Sequence, residues 1–247
     1  MIVDYNIYRF SKKEYVQYAF IWLIMCLFIA YLFYSNFILS ILLIPLFPIF
    51  ILDVKKKIIA RRKWQLNTEF KDGLLSVSSA LNAGYSLENA FIHASEDLKL
   101  IYSDNSLIIT EFKNIVLRMQ MNFTVESILE DLGKRSGVED IANFSEVIKT
   151  AKRTGGDLIH VIQTTSKIIS DKLEVKREII TLITAKKLEA KIMNLIPFGI
   201  VLYLRIFSPE FLTPLYHNVF GILFMSIVLI CIYGVSQISN KIMDIHV

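Results

Sequence analysis

Two cysteines in 247 residues, Cys26 and Cys231, lie far apart inside apolar runs, and that spacing excludes a disulfide framework or a cysteine metal site. They read as small apolar side chains. Proline is also scarce: there are five in the chain and none from Trp64 to Ala190, so nothing in that polar stretch interrupts a helix. The same stretch has no apolar/polar alternation, which excludes a strand-built domain. No glycine-rich loop ends in Lys-Ser or Lys-Thr, so the chain is expected not to hydrolyse ATP and not to be an enzyme. His93 and His160 lack metal-ligand or nucleophile partners at helical spacing, so no catalytic residue, metal or cofactor is expected. A formal net charge of only +4 gives no basis for a nucleic-acid role.

What the sequence has in abundance is apolar surface, 54% of residues with a mean hydropathy of +0.49. Charged residues make up 20% and are segregated, nearly all in the first sixteen residues and between Asp53 and Lys191. The apolar runs are Gln17 to Tyr34, Phe37 to Leu52, Ile192 to Phe207 and Val219 to Ile238. At about 1.5 Å per residue each suffices for a hydrocarbon core of about 30 Å, given interfacial aromatics at its ends. Only Ser35 and Asn36 separate the first two, so these form a tight hairpin, and Pro45 and Pro48 are expected to kink or break the end of the second helix. No small-residue cleavage site follows the first run, so it reads as a retained span rather than a signal peptide.

Lysine and arginine set the direction. Arg9, Lys12 and Lys13 precede the first run, Lys55 to Lys63 follow the second, Lys186, Lys187 and Lys191 precede the third, and Lys241 follows the fourth. The loops Ser35-Asn36 and Ser208 to Asn218 contain neither residue type. The expected protein is an all-α, four-span polytopic membrane protein with both termini cytoplasmic. Residues 1–16 form a cytoplasmic segment, 17–52 and 191–238 two transmembrane hairpins, 53–190 a cytoplasmic domain and 239–247 a cytoplasmic tail. The basic run at Lys55 reads as a juxtamembrane lipid contact rather than a nucleic-acid patch. Arg205, the one charge within a span, lies three residues before Ser208-Pro209 and is expected to be an interfacial anchor rather than part of an ion path.

The cytoplasmic insert reads as a six-helix bundle. Leu66, Phe70, Leu74, Val77 and Leu81 form one stripe, ending at Ala83-Gly84. Leu87, Phe91, Ala94 and Leu98 form the next, with Ser86 as N-cap. Leu107, Ile108, Phe112, Ile115, Val116 and Met119 make the third. Thr124 opens a short fourth helix with Ile128, Leu129 and Leu132, closed at Gly137, whose Glu126, Glu130 and Asp131 read as a solvated face. Ile141, Phe144, Val147, Ile148 and Ala151 make the fifth, stopped by Gly155-Gly156. Asp157 caps a long sixth helix through Leu158, Val161, Ile162, Thr165, Ile168 and Ile169.

The segment Leu81-Asn-Ala-Gly84-Tyr-Ser86-Leu-Glu-Asn-Ala90-Phe resembles the turn that opens the type II secretion F domain. Glu111-Phe112, the run from Asn122 to Leu129, the Lys134 to Ile141 segment, Ala151-Lys-Arg-Thr-Gly155-Gly156-Asp-Leu and Pro197 resemble that family's later motifs, in order, over residues 64 to 238. One such domain behind a membrane hairpin resembles the TadB-type platform proteins of tight-adherence (Flp, type IVc) pili, and a TadC-type partner is similar.

That resemblance implies an inner-membrane assembly-platform subunit of a pilus or type II secretion-like machine. Its implied partners are a cytoplasmic hexameric secretion ATPase, pilin or prepilin subunits, the lipid bilayer, and a TadC-like paralogue or a second copy of itself. A small transporter is the rival reading, and it lacks the mid-bilayer polar residues it needs. Helix lengths place the turn at Gly84 about 30 Å, and the start of the sixth helix about 50 Å, from the membrane ends of their helices. The expected ATPase contacts are therefore Gly84, Tyr85, Lys152, Arg153, Gly155 and Gly156, with the lysine and arginine steering association.

Overall fold

The structure, a computed structural model, describes residues 3–36, 44–154, 157–216 and 218–243. Among the described residues there are nine helices and no strand: α1 (Lys12–Tyr34), α2 (Phe47–Asn82), α3 (Leu87–Ile101), α4 (Leu107–Gln120), α5 (Val125–Ser136), α6 (Glu139–Thr154), α7 (Leu158–Phe207), α8 (Pro209–Tyr216) and α9 (Val219–Met243). They divide into two compact units. One comprises Met1–Arg9 with Val54–Val175, the other Phe10–Asp53 with Lys176–Val247.

The first unit is a bundle of six helical segments around one core. On α2 the stripe Leu66, Phe70, Leu74, Val77 and Leu81 is buried along its whole length. The rings of Phe70 and Phe144 meet edge-on with centroids 5.8 Å apart, and those of Phe91 and Phe112 lie 5.9 Å apart. Such aromatic pairs add about 0.5–1.5 kcal/mol to their area burial. The caps fall where the side chains call for them: Ser86, Ser106 and Thr124 oxygens accept from Asn89 N, Ile109 N and Ser127 N.

Two residues of the expected stripes lie outside the core. Val147 is 40% exposed and Ile168 59%. Each directly precedes a buried isoleucine, Ile148 or Ile169, and at 3.6 residues per turn neighbours point about 100° apart, so only one of the two can face inward. Ser166 and Leu173 fill the inward positions of α7 instead.

The core also has a buried polar seam. Arg135 holds Glu111 with both guanidinium arms (Nη1 to Oε1 3.1 Å, Nη2 to Oε2 2.9 Å), while its Nε donates to Asp131 at 3.0 Å. Glu69 on α2 accepts from Ile108 N at 3.1 Å, satisfying one of the orphan N–H groups that open α4.

The prolines of the second apolar run do not kink a helix. Residues 44–46, including Pro45, form a 3₁₀ turn, and Pro48 is the second residue of α2. A residue without an N–H fits a first helical turn, where that donor has no partner anyway. From there α2 is unbroken to Asn82, so the basic run Lys55–Lys63 is helical. The rest of the expected second span, residues 37–43, lies outside the described residues.

Among the described residues of the second unit, three helices are long and apolar enough to cross a membrane: α1, a window within α7, and Phe220–Ser239 of α9. Outward side chains such as Phe20, Leu195, Phe220 and Ile230 are 62–83% exposed, as helices solvated by lipid should be. Leu32 and Phe33 of α1 and Met225 of α9 form a small core with Phe198, Val201, Leu215 and Tyr216. Within the expected loop 208–218 the structure places helix α8, announced by Ser208-Pro209-Glu210, an order of polar cap, N-terminal proline and first-turn acid.

Candidate functional site

Three inter-helix turns of the bundle meet at one of its ends around a cavity of about 530 Å³. Ser86, Leu87 and Glu88 from the start of α3, Asn122 to Glu126 from the α4–α5 turn, Lys152 near the end of α6 and Leu158 at the start of α7 line it.

Local chemistry fixes each turn. After α2, Gly84 adopts φ +90°, Gly84 N donates to Leu81 O at 3.0 Å and Tyr85 N to Ala80 O at 3.2 Å. This crossed pair is a Schellman cap, which satisfies the last carbonyls of a helix. The α4–α5 turn repeats it with an asparagine. Asn122 has φ +62°, Asn122 N donates to Met119 O at 2.9 Å, and Phe123 N donates to Arg118 O at 3.0 Å. Sequence reasoning passed over Asn122, although asparagine is the residue after glycine that best tolerates this conformation. At α7, Asp157 Oδ1 accepts from Ile159 N at 2.9 Å and His160 N at 3.2 Å.

The end of the bundle therefore gathers the N-termini of α3, α5 and α7. Their partial positive charge is met by Glu88, Glu126 and Asp157 in the opening positions. Glu126 is the most enclosed of the ion-paired acids on α5, and Lys152 Nζ donates to its Oε2 at 3.0 Å. Burial acts to raise the Glu126 pKa, but the lysine hydrogen bond and charge outweigh it, and the carboxyl sits below its usual range.

The structure thus corrects one expectation. Glu126, Glu130 and Asp131 are not a merely solvated face. Glu130 takes Lys134 at 2.8 Å and Lys149 at 2.9 Å, and Asp131 takes Arg118 at 2.7 Å and Arg135 at 3.0 Å. The two lysines hold the Glu130 carboxyl down to about 2. Burial would raise the Asp131 pKa, yet the two arginines keep it low. Lys152, one of the expected contact residues, pairs within the bundle, its amine donating to Glu126.

The other expected contact residues are placed as follows. Gly84 is exposed, and a side-chain carbon added there would meet nothing within 4 Å. Tyr85 is 44% exposed with its ring 4.4 Å from that of His93. Arg153 is exposed and borders a second groove of about 520 Å³ between α5 and α6, with Lys134 and Lys149. Gly155 and Gly156 lie outside the described residues. Among the described residues, no group of three His, Cys, Asp or Glu side chains is arranged to hold a metal ion.

Arg205 belongs to the second unit. It donates to Tyr31 O and, at 3.1 Å, to Ser35 Oγ, and its guanidinium lies 3.7 Å from the Tyr31 ring centroid and 5.4 Å from that of Tyr216. Tyr216 Oη donates in turn to Leu32 O at 2.7 Å. Ser35 closes α1 in the left-handed region at φ 52°. A cation on the last, unpaired carbonyls of a helix is favourable, and here the acceptors for the guanidinium come from the protein itself.

Compared with known proteins, residues 74–204 match the family described as type II secretion system (T2SS), protein F, which is just over half of the chain. The matched span runs from the middle of α2, through the three turns, to the apolar part of α7. No curated protein and no solved structure matches the chain.

Proposed function

The chain belongs to the type II secretion system protein F family, and we propose that within it the protein is an inner-membrane assembly-platform subunit that couples a cytoplasmic secretion ATPase to the extraction and assembly of pilin subunits. The observation that carries this reading is the coincidence of the family match with the bundle and the first part of its return to the apolar region of α7. A platform performs no covalent chemistry of its own. It needs a cytosolic domain that a motor can grip, and spans joined to that domain without slack. Helices α2 and α7 each run unbroken from bundle residues into residues of the apolar unit, which suits the transmission of force.

In this proposal the four apolar runs all span the membrane, both termini and the bundle are cytoplasmic, and the three-turn end around Gly84, Asn122 and Lys152 faces the ATPase. The lysine and arginine asymmetry supports the orientation. The single domain behind one hairpin supports a TadB-type subunit of a tight-adherence pilus, with a TadC-type partner subunit as the second reading. The test is co-purification of the tagged protein with a secretion ATPase of the same cell. Substituting Arg153, an exposed cation whose change leaves the Glu126–Lys152 pair intact, should weaken recovery of the ATPase at moderate salt. Undiminished recovery moves the contact away from this end, and no recovery with the unaltered protein removes the coupling claim.

A further inference from the structure

The described residues before α1 form no helix and their sequence carries no periodicity or motif, yet Val3–Arg9 is built into the bundle. Tyr5 is 1% exposed and belongs to the main hydrophobic core, with Val3 packed against it. Tyr5 Oη donates to Glu111 Oε1 at 2.8 Å, the carboxylate held by Arg135. The backbone is tied as well. Tyr5 N donates to Arg135 O at 3.0 Å, and Arg135 Nη1 donates to Val3 O at 2.9 Å. Asn6 Nδ2 reaches Lys134 O and Arg135 O at 3.3 and 3.2 Å, the carbonyls that α5 leaves unpaired at its C-terminus. Lys63 Nζ then clamps Asn6 Oδ1 at 2.7 Å and Gly137 O at 3.1 Å, and Arg62 lies 4.6 Å over the ring of Tyr8. A tail in solution would have neither a buried ring nor this set of backbone partners.

Only Phe10 and Ser11 separate this segment from α1, and two residues reach at most about 7 Å. Ser11 N donates to Glu14 Oε2 at 2.8 Å, which fixes the helix start itself. We propose that Val3–Arg9 is a coupling strap: folded into the bundle through Tyr5 and Asn6, it ties bundle movement to the first membrane helix, as α2 and α7 do for theirs. The docking stands on the contacts alone, whereas the coupling rests on the platform reading above.

The test uses the full-length protein in lipid nanodiscs and in cells. Hydrogen exchange over residues 3–9 should be slowed as in the bundle core. Tyr5→Ala or Asn6→Ala should raise exchange there roughly tenfold or more, the opening expected when a hydrogen bond to a charged or helix-end acceptor is lost. Tyr5→Phe, which keeps the ring and loses only the hydroxyl, gives the same reading if Tyr5→Ala fails to fold. Free-tail exchange in the unaltered protein overturns the docking. A six-residue Gly/Ser spacer after Arg9 should leave that protection in place and abolish pilus assembly, because a flexible linker transmits no displacement. Assembly at wild-type level with the spacer overturns the coupling. A gene-deletion strain that still assembles pili removes the platform reading and the coupling with it, while exchange over residues 3–9 still decides the docking.

Discussion

Arg135 holds both oxygens of Glu111, at 3.1 and 2.9 Å, in a pair whose side chains are 13% and 3% exposed. Two parallel N–H···O contacts fix geometry as well as charge, and the pair joins the middle of the bundle from α4 to α5. Removing one partner takes the main counter-charge from the other: Glu111 would keep only the Tyr5 hydroxyl, and Arg135 only the more exposed Asp131 and Val3 O. Glu111→Leu should cost about 3–5 kcal/mol in denaturant unfolding, and Arg135→Met about the same. The double substitution should cost less than the sum of the two, because no buried charge is left alone. Additive losses would show that the pair does not act as a unit.

Two glycines with positive φ should respond differently to alanine. At Gly84, φ +90° with open space around it, the cost is conformational alone, about 1 kcal/mol. At Gly137, φ +56°, the new carbon would lie 2.0 Å from Asn6 Oδ1 and 2.6 Å from Lys63 Nζ, so Gly137→Ala must also displace these polar contacts. Thermal melts of the two variants should rank Gly137→Ala clearly lower, and equal shifts would contradict the packing of Asn6 against that turn.

Acid should loosen the α5 ion pairs. Glu126, Glu130 and Asp131 are held below their ordinary values in the folded protein. Their contribution is complete above the unfolded carboxylate range, near 4, and is lost as pH falls through the folded values, down to about 2 for Glu130. The melting temperature should therefore be level from pH 7 to about 5 and fall between about 4 and 2. Asp131→Asn should flatten part of that fall. A melting temperature that holds constant down to pH 2 would contradict the ion-pair assignment.

The helix stripes were legible in the sequence because a 3.6-residue period leaves its mark on every turn. Leu66 to Leu81 is the clearest case, all buried. The N-caps Ser86 and Thr124 and the stop at Gly84 were legible for the same local reason. What stayed hidden depends on contacts distant in sequence. Nothing around Tyr5 signals that its partner is Glu111, 106 residues on. Nor does the sequence show that Lys152 pairs with Glu126, on another helix and 26 residues away. Pro45 and Pro48 misled for a different reason: a proline reads equally as the end of one helix or the start of another, and α2 starts there.

The orientation is open to direct measurement. Reporter fusions after Asn36 and Asn218 should read as outside the cytoplasm, and a fusion after Lys99 as inside, because the two short loops lack lysine and arginine while basic clusters at Lys55–Lys63 and Lys186–Lys191 flank the insert that holds Lys99. A cytoplasmic reading at Asn218 would remove the four-span arrangement.

The platform role is tested most directly by counting surface pili in a clean deletion of the gene. The account predicts no pili on the deletion strain, prepilin still synthesised at its normal level by immunoblot, and pili restored when the gene is returned. Piliation at wild-type numbers in a deletion strain with no second copy of the gene would contradict it.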